Sequence, residues 1–160
     1  MRQLRRGVFE SNSSSCHSIT FGGRGALEPN CMPIDEDGYI HAHFSEFGWE
    51  IENYYDQESK LAYLLTMTAH LNGCYPYHWS REEQEEAIEE FVETYDFKRI
   101  SDEIADYANC KGVILDYSEG YIDHQSIDNN SLDEFLEWNN TNIIDFVFGG
   151  VVVHTDNDNY

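Results

Sequence analysis

Short stretches with alternating or continuous apolar positions predict five β-strands along the chain. Apolar and polar residues alternate over residues 16–21, which end at a Gly-Gly pair, and again over residues 38–44. Residues 113–117 and 121–124 predict two short strands joined by a Ser-Glu-Gly turn, and residues 150–154 predict a last strand. In the 38–44 strand, one of the two faces must belong to the core, because successive side chains point to opposite sides.

Apolar residues at intervals of three and four predict helices between these strands. The clearest covers about residues 57–71, and a short one is predicted over about 101–108. Capping boxes, in which a serine is followed three residues later by a glutamate, predict helix starts at Ser80 and Ser131. Strands, helices and strands follow one another without βαβ alternation, which favours an α+β fold. We therefore expect a single domain over residues 1–160, with a small mixed or antiparallel sheet and three to four helices, one of them strongly acidic.

The charge of the chain says more about possible partners than the predicted helices and strands do. The 160 residues include 31 Asp and Glu against 9 Lys and Arg, a formal net charge of -22. Such a surface repels nucleic acids and anionic membranes and attracts basic proteins, among which nucleic-acid-handling proteins are the commonest. Residues 1–25 hold four arginines against one glutamate, so the chain divides into a basic N-terminal arm with the first strand (1–25) and an acidic body (26–160). A merely very soluble surface, or tethering of the arm to the body, would also account for this contrast.

The helix predicted after Ser80 carries a row of glutamates around a single apolar stripe, with few basic residues to neutralise them. These glutamates are Glu82, Glu83, Glu85, Glu86, Glu89, Glu90 and Glu93. The helix dipole accounts for the acidic residues of the first turn but not for those beyond it. We therefore predict that this helix binds a basic partner, with carboxylates standing in for phosphates as one form of that role. A solvated acidic face is the alternative.

Four cysteines and seven histidines suggest zinc as a cofactor, although the CxxC pairs of zinc ribbons are absent. Two histidines share one face of the 38–44 strand, and two cysteines precede that strand. Together they give a tetrahedral candidate set of Cys16, Cys31, His41 and His43. A zinc-stabilised interaction module is therefore one alternative function. Cysteines that act as small buried hydrophobes, with histidines on the surface, are the other explanation.

Side chains for nucleophilic catalysis occur at Ser14, His17, Asp123 and His124. They would form one site only if the segments that carry them lie side by side. The chain has no GxSxG elbow, no Gly-rich phosphate loop and no HExxH motif. A small hydrolase or transferase that uses His17 and His124 is thus kept as an alternative, and the prediction leans against an enzyme.

The N-terminal segment RRGVFESNSSSCHS resembles the signature R-x-G-V-F-E-(S/T)-N-S-S-S-x-H-S of a family of small phage and prophage proteins. The later segments FGWE, YIDHQS and TDND are similar to recurrent segments of that family. The resemblance points to Arg6, Asn12, Ser13, Ser14, Ser15 and His17, and less directly to Asp123 and His124. Cys16 falls at the variable position of the signature, which counts against a family-wide metal ligand there. What the resemblance implies is a phage-related origin.

Small acidic phage proteins resemble the inhibitors that phages use against host defence, including anti-CRISPR proteins, which occupy the basic nucleic-acid channel of an effector nuclease. The leading expectation is therefore an acidic inhibitor that binds a basic nucleic-acid-processing host protein, such as a CRISPR effector nuclease, and blocks its nucleic-acid surface. No apolar run approaches the roughly 20 residues of a membrane span. We accordingly expect a protein of the host cytoplasm, with reduced cysteines, that binds neither membranes nor nucleic acid directly.

Overall fold

The α+β fold predicted from the sequence is confirmed. The computed structural model describes residues 15–21, 26–48, 52–75, 77, 80–122 and 129–157, with only the backbone described for residues 15–21, 156 and 157. The strands within these ranges are β1 (Ser15–Phe21), β2 (Tyr39–Ala42), β3 (Glu46–Phe47), β4 (Glu52–Tyr54), β5 (Gly112–Leu115), β6 (Tyr121–Ile122) and β7 (Val151–Asn157). The helices are α1 (Gln57–Leu71), α2 (Arg81–Val92), α3 (Tyr95–Ala108), α4 (Leu132–Trp138) and α5 (Ile143–Phe148).

Both predicted capping boxes start helices. The Ser80 hydroxyl accepts a hydrogen bond from the backbone N–H of Glu83 at 3.3 Å, and α2 begins at the next residue. The Ser131 hydroxyl accepts one from the backbone N–H of Glu134 at 3.2 Å and begins α4 in the same way. Among the described residues, no helix is both long and apolar enough to cross a membrane.

The third helix begins earlier than the sequence predicted. α3 starts at Tyr95, capped by the Thr94 hydroxyl, which accepts a hydrogen bond from the backbone N–H of Phe97 at 3.2 Å. Ser101, the predicted first residue of this helix, lies in the middle of α3 instead. Its hydroxyl accepts a hydrogen bond from the backbone N–H of Val113 at 2.9 Å and so joins α3 to β5. The short helix α5 was not predicted, because six residues are too few to show a helical period.

The strands form three small sheets in the described part of the chain. β1, β7 and β4 make an antiparallel sheet in that order, whereas β2 pairs with β5 and β3 pairs with β6, both in parallel. The predicted strands β5 and β6 therefore do not pair with each other. The segments 39–47 and 112–122 instead run side by side, with Asp116 N donating to Ala42 O at 2.8 Å and Tyr121 N donating to Ser45 O at 3.1 Å. Pairing of this kind depends on contacts across about seventy residues of sequence, which local patterns do not show.

One continuous hydrophobic core involves α1, α5 and the inner faces of the sheets. α1 lies deep within it, and its residues from Lys60 to Ala69 are all buried. α2 is attached differently, because only Gln84, Ala87 and Phe91 are buried on it. The ring of Phe91 contacts the rings of Phe44 and Phe97, with centroids 5.8 and 5.4 Å apart. A buried aromatic ring of this kind contributes about 1.5–3 kcal/mol, so a narrow apolar strip holds α2 to the body and leaves most of its surface outside.

Candidate functional site

The outer surface of α2 consists almost entirely of carboxylates. All seven predicted glutamates are exposed, and we call them together the α2 acidic face: Glu82, Glu83, Glu85, Glu86, Glu89, Glu90 and Glu93. Four of them, at positions 82, 86, 89 and 93, follow one another along the side opposite the buried strip. At a rise of about 1.5 Å per residue, this row is about 16 Å long.

Few basic groups neutralise this face. Arg81 Nε lies 2.7 Å from Glu85 Oε1, and Lys98 Nζ lies 2.7 Å from Glu93 Oε2. The hydrogen bond and the charge of Lys98 lower the pKa of Glu93. In the part of the chain that the structure describes, no basic side chain pairs with the other five: Glu82, Glu83, Glu86, Glu89 and Glu90.

The arrangement has an electrostatic cost that a basic partner would relieve. Glutamates repel each other four residues apart at four places: 82 and 86, 85 and 89, 86 and 90, and 89 and 93. Each such pair destabilises a helix by about 0.2–0.5 kcal/mol. A row of lysine or arginine side chains placed against the α2 acidic face would turn these repulsions into attractions.

A second polar cluster joins β2 to β5. His41 lies between two carboxylates, with Nε2 at 2.8 Å from Asp35 Oδ2 and Nδ1 at 3.0 Å from both carboxylate oxygens of Asp116. Because a carboxylate only accepts hydrogen bonds, both ring nitrogens must carry a proton to satisfy this geometry. Both hydrogen bonds therefore raise the pKa of His41, the bond to Asp35 more than the bond to Asp116. The pKa of Asp35 is lowered, first by the backbone N–H of Tyr39 and then by His41.

This cluster bears on the predicted zinc set. His41 and His43 are exposed on the same face of the strand, as the alternation predicted, but both nitrogens of His41 are already bonded to carboxylates. Cys31 is exposed, and the side chain of Cys16 lies outside the described residues. Among the side chains that the structure describes, no three His, Cys, Asp or Glu groups are arranged to hold a metal ion. The four-residue zinc site stays a prediction, and it would require His41 to leave its two carboxylates.

The predicted nucleophilic set falls largely outside the structure. Ser14, Asp123 and His124 lie outside the described residues. His17 belongs to β1, where its backbone pairs with Thr155 of β7, and its side chain is not described. The enzyme alternative based on these residues therefore stays a prediction.

A pocket that sequence reasoning missed lies where the end of α1 meets β6. It has a volume of about 140 Å³, and aromatic side chains make up most of its wall: His70, Tyr75, Tyr77 and Tyr121. The available sequence signal for this pocket was a pair of tyrosines, at 75 and 77, in a segment without periodicity that follows a predicted helix. That signal does not show a pocket, because the opposite wall comes from a strand more than forty residues later.

The His41 cluster predicts a pH dependence. A histidine whose pKa is raised on folding stabilises the folded state below its unfolded pKa, about 6.5, and this contribution is lost as the pH rises through the folded pKa. NMR titration should therefore show a His41 pKa above 6.5, and Asp116→Asn should lower it. His41 should stabilise the wild-type protein against urea more at pH 5.5 than at pH 8.5. The Asp116→Asn variant should lose part of this difference.

Asp37→Asn is the matched control for this titration, because Asp37 is an exposed carboxylate two residues after Asp35 and makes no hydrogen bond to His41. An equal fall in the His41 pKa in both variants would show that general charge, and not the contact with Asp116, sets the pKa.

The described residues thus offer three arrangements with different chemical capacities. The α2 acidic face can bind a polycation, the His41 cluster braces two strands, and the aromatic pocket can hold a small group. Only the first presents like charges over about 16 Å, as a surface that binds a basic macromolecule would. No family model, curated protein or solved structure matches the chain.

Proposed function

We propose that this protein is an acidic inhibitor that binds a basic nucleic-acid-processing protein through the α2 acidic face and covers its nucleic-acid surface. The observation that carries the proposal is a helix with seven exposed glutamates, five of which have no basic partner among the described residues. The net charge of -22 steers the whole molecule toward positive surfaces. A surface that has evolved to bind nucleic acid is the positive surface that such a protein meets most often.

The geometry of the helix suits this role. The row at positions 82, 86, 89 and 93 repeats the negative charge about once per helical turn, or roughly every 5–6 Å. Lysine and arginine side chains that bind the phosphates of a nucleic acid can form charge-assisted hydrogen bonds with carboxylates in the same way. α2 is held to the body by a narrow buried strip on the opposite side, so the row faces solvent and is accessible to a basic groove.

The resemblance of the N-terminal segment to phage and prophage proteins gives the proposal its specific form. A phage protein of this charge would be directed against a host defence enzyme, of which a CRISPR effector nuclease is the leading example. The hydrolase or transferase alternative rests on four residues whose side chains lie outside the described part of the chain. The zinc-module alternative would require His41 to leave its two carboxylates.

Capture from a nuclease-treated bacterial lysate tests the proposed function. The immobilised protein should retain a basic nucleic-acid-binding protein at about 50 mM salt and release most of it at about 500 mM, because salt screens exposed charge pairs. Added duplex DNA should release the same protein, since both ligands would compete for one surface. Retention that is indifferent to both salt and DNA would contradict the proposal.

A further inference from the structure

The aromatic pocket at the end of α1 is assembled from three segments of the chain. Thr66 and His70 come from α1, Tyr75 and Tyr77 from the segment that follows it, and Tyr121 from β6, with Gly120 beside it. Tyr75 and Tyr77 are each about half exposed, at 49% and 48%. The pocket is therefore open to solvent on the side of these two tyrosines.

Close packing at Gly120 sets the position of the far wall. A Cβ atom at this residue would lie 2.4 Å from Phe44 Cβ and 3.1 Å from the backbone N and O of Ser45. Only glycine lets the two parallel segments approach this closely, and the approach allows Tyr121 N to donate to Ser45 O at 3.1 Å. Tyr121 is thereby fixed at the pocket wall by the backbone.

The Thr66 hydroxyl at the pocket floor already makes hydrogen bonds within the protein. The Thr66 hydroxyl donates to Ala62 O at 2.8 Å and accepts from Ser45 N at 3.2 Å. What the wall presents is mainly aromatic carbon. The rings of His70 and Tyr75 meet at 82° with centroids 4.9 Å apart, and those of Tyr77 and Tyr121 meet at 69° with centroids 5.6 Å apart. Both ring pairs line the same pocket, and a wall of several aromatic rings is the kind of surface on which aromatic cages hold cations.

Electrostatics favours a cation over any other ligand of that size. No lysine or arginine is among the residues that line the pocket. Glu90 of α2 is close enough to raise the pKa of Cys74, after burial, and Cys74 is the residue before Tyr75. Together with the net charge of -22, the absence of lysine and arginine from the lining disfavours an anionic ligand. A cavity of about 150 Å³ holds a group of the size of benzene, so a planar guanidinium fits a pocket of about 140 Å³.

We propose that this pocket receives one arginine side chain of the basic partner, with the guanidinium stacked among the tyrosine rings. The inference rests on the proposed function, because it supplies a specific anchor next to the α2 acidic face. A guanidinium is favoured over an ammonium since it is planar, stacks on aromatic rings and is more weakly hydrated. The acidic face would attract the partner, and the pocket would select where a particular arginine binds.

Small-molecule probes test the pocket without any partner. N-acetyl-arginine amide, which carries only the guanidinium charge, should shift the NMR signals of Tyr75 and Tyr121 in a saturable way. N-acetyl-citrulline amide, the uncharged isostere, should bind at least about tenfold more weakly, and N-acetyl-lysine amide should fall between them. Equal binding of the citrulline and arginine probes, shifts confined to α2, or no saturation with the arginine probe would overturn the proposal. Equal binding of the lysine probe would overturn the choice of guanidinium.

Tyr75→Leu removes one ring but keeps an apolar side chain at a half-exposed site, so it should fold and bind the arginine probe about tenfold more weakly. Tyr95→Leu is the matched control, since Tyr95 is 76% exposed at the start of α3 and does not line the pocket. Wild-type affinity for the probe in Tyr75→Leu would count against the cage.

The two proposals fail in different ways. If the pocket is wrong but the function is right, Tyr75→Leu will capture the partner as well as the wild type, and capture will still be released by DNA. If the function is wrong, the arginine probe will bind the pocket although no DNA-sensitive capture occurs.

Discussion

Replacing Glu86, Glu89 and Glu90 together by lysine is expected to abolish capture of the basic partner. All three are exposed, lie beyond the first turn of α2 and have no ion pair within the described residues. Each reversal turns an attraction into a repulsion, so a change of about 1 kcal/mol at each site would weaken binding about a hundredfold in total. Titration of the captured partner against wild-type and variant protein measures this loss.

The helix itself should tolerate the change. Residue pairs 82 with 86 and 85 with 89 become Glu followed by Lys four residues later, which is the favourable order on a helix. Of the four pairs that repel in the wild type, only 86 with 90 stays repulsive. Circular dichroism and urea denaturation should therefore show a folded protein of near wild-type stability. Loss of binding could then not be assigned to unfolding.

Asp102→Lys, Asp106→Lys and Glu137→Lys together provide the matched control. These three residues are exposed on α3 and α4 and give the same change in net charge at a different place. The control should retain most of the binding. Equal loss in both triple variants would mean that net charge alone attracts the partner, and wild-type binding in the α2 variant would refute a role for the α2 acidic face.

Local signals in the sequence predicted the parts of the fold that depend on neighbouring residues. α1 occupies the predicted residues 57–71, and α2 and α4 begin directly after the serines of their capping boxes. The seven glutamates could be placed on an exposed face for the same reason, since a single apolar stripe leaves only one side of α2 to be buried.

Local sequence signals gave incomplete or wrong predictions where a side chain bonds to a segment that is distant in the sequence. Ser101 has the residue type of a helix cap, but its hydroxyl bonds to β5, and Thr94 caps α3 instead. His41 was a candidate metal ligand because His43 shares its strand face. One of its two carboxylate partners, Asp116, is 75 residues away in the sequence, and only the parallel pairing of β2 with β5 brings the two together. The aromatic pocket was missed for the same reason.

Lys60 is a further side chain whose bonding partner is distant in the sequence. Its substitution is expected to have the second large effect, on the stability of the fold. Lysine is rarely buried in proteins, yet Lys60 of α1 is only 2% exposed. Its ammonium group donates to Gly149 O at 2.9 Å, where α5 ends and the chain turns into β7. Burial lowers the pKa of Lys60, and the nearby charges of Glu28 and Asp56 oppose that shift.

Lys60→Ala is expected to lower the free energy of unfolding by about 2–3 kcal/mol. The substitution leaves the Gly149 carbonyl without its donor, at a cost of about 1–2 kcal/mol for a partly buried group, and it also removes the packing of the long aliphatic stem. Lys60→Met restores the stem but not the donor, so its loss should be about half as large. Urea denaturation monitored by circular dichroism measures all three proteins.

Lys98→Met is the matched control for Lys60, because Lys98 is 55% exposed and pairs with Glu93 on the surface. Its loss should stay below about 1 kcal/mol, as for other exposed ion pairs. A Lys60→Met protein as stable as the wild type would mean that desolvation of the ammonium cancels its hydrogen bond, and that the stem alone stabilises this junction. A loss equal to that of Lys60→Ala would instead assign the whole effect to the bond with Gly149, and so to the joint between α1, α5 and β7.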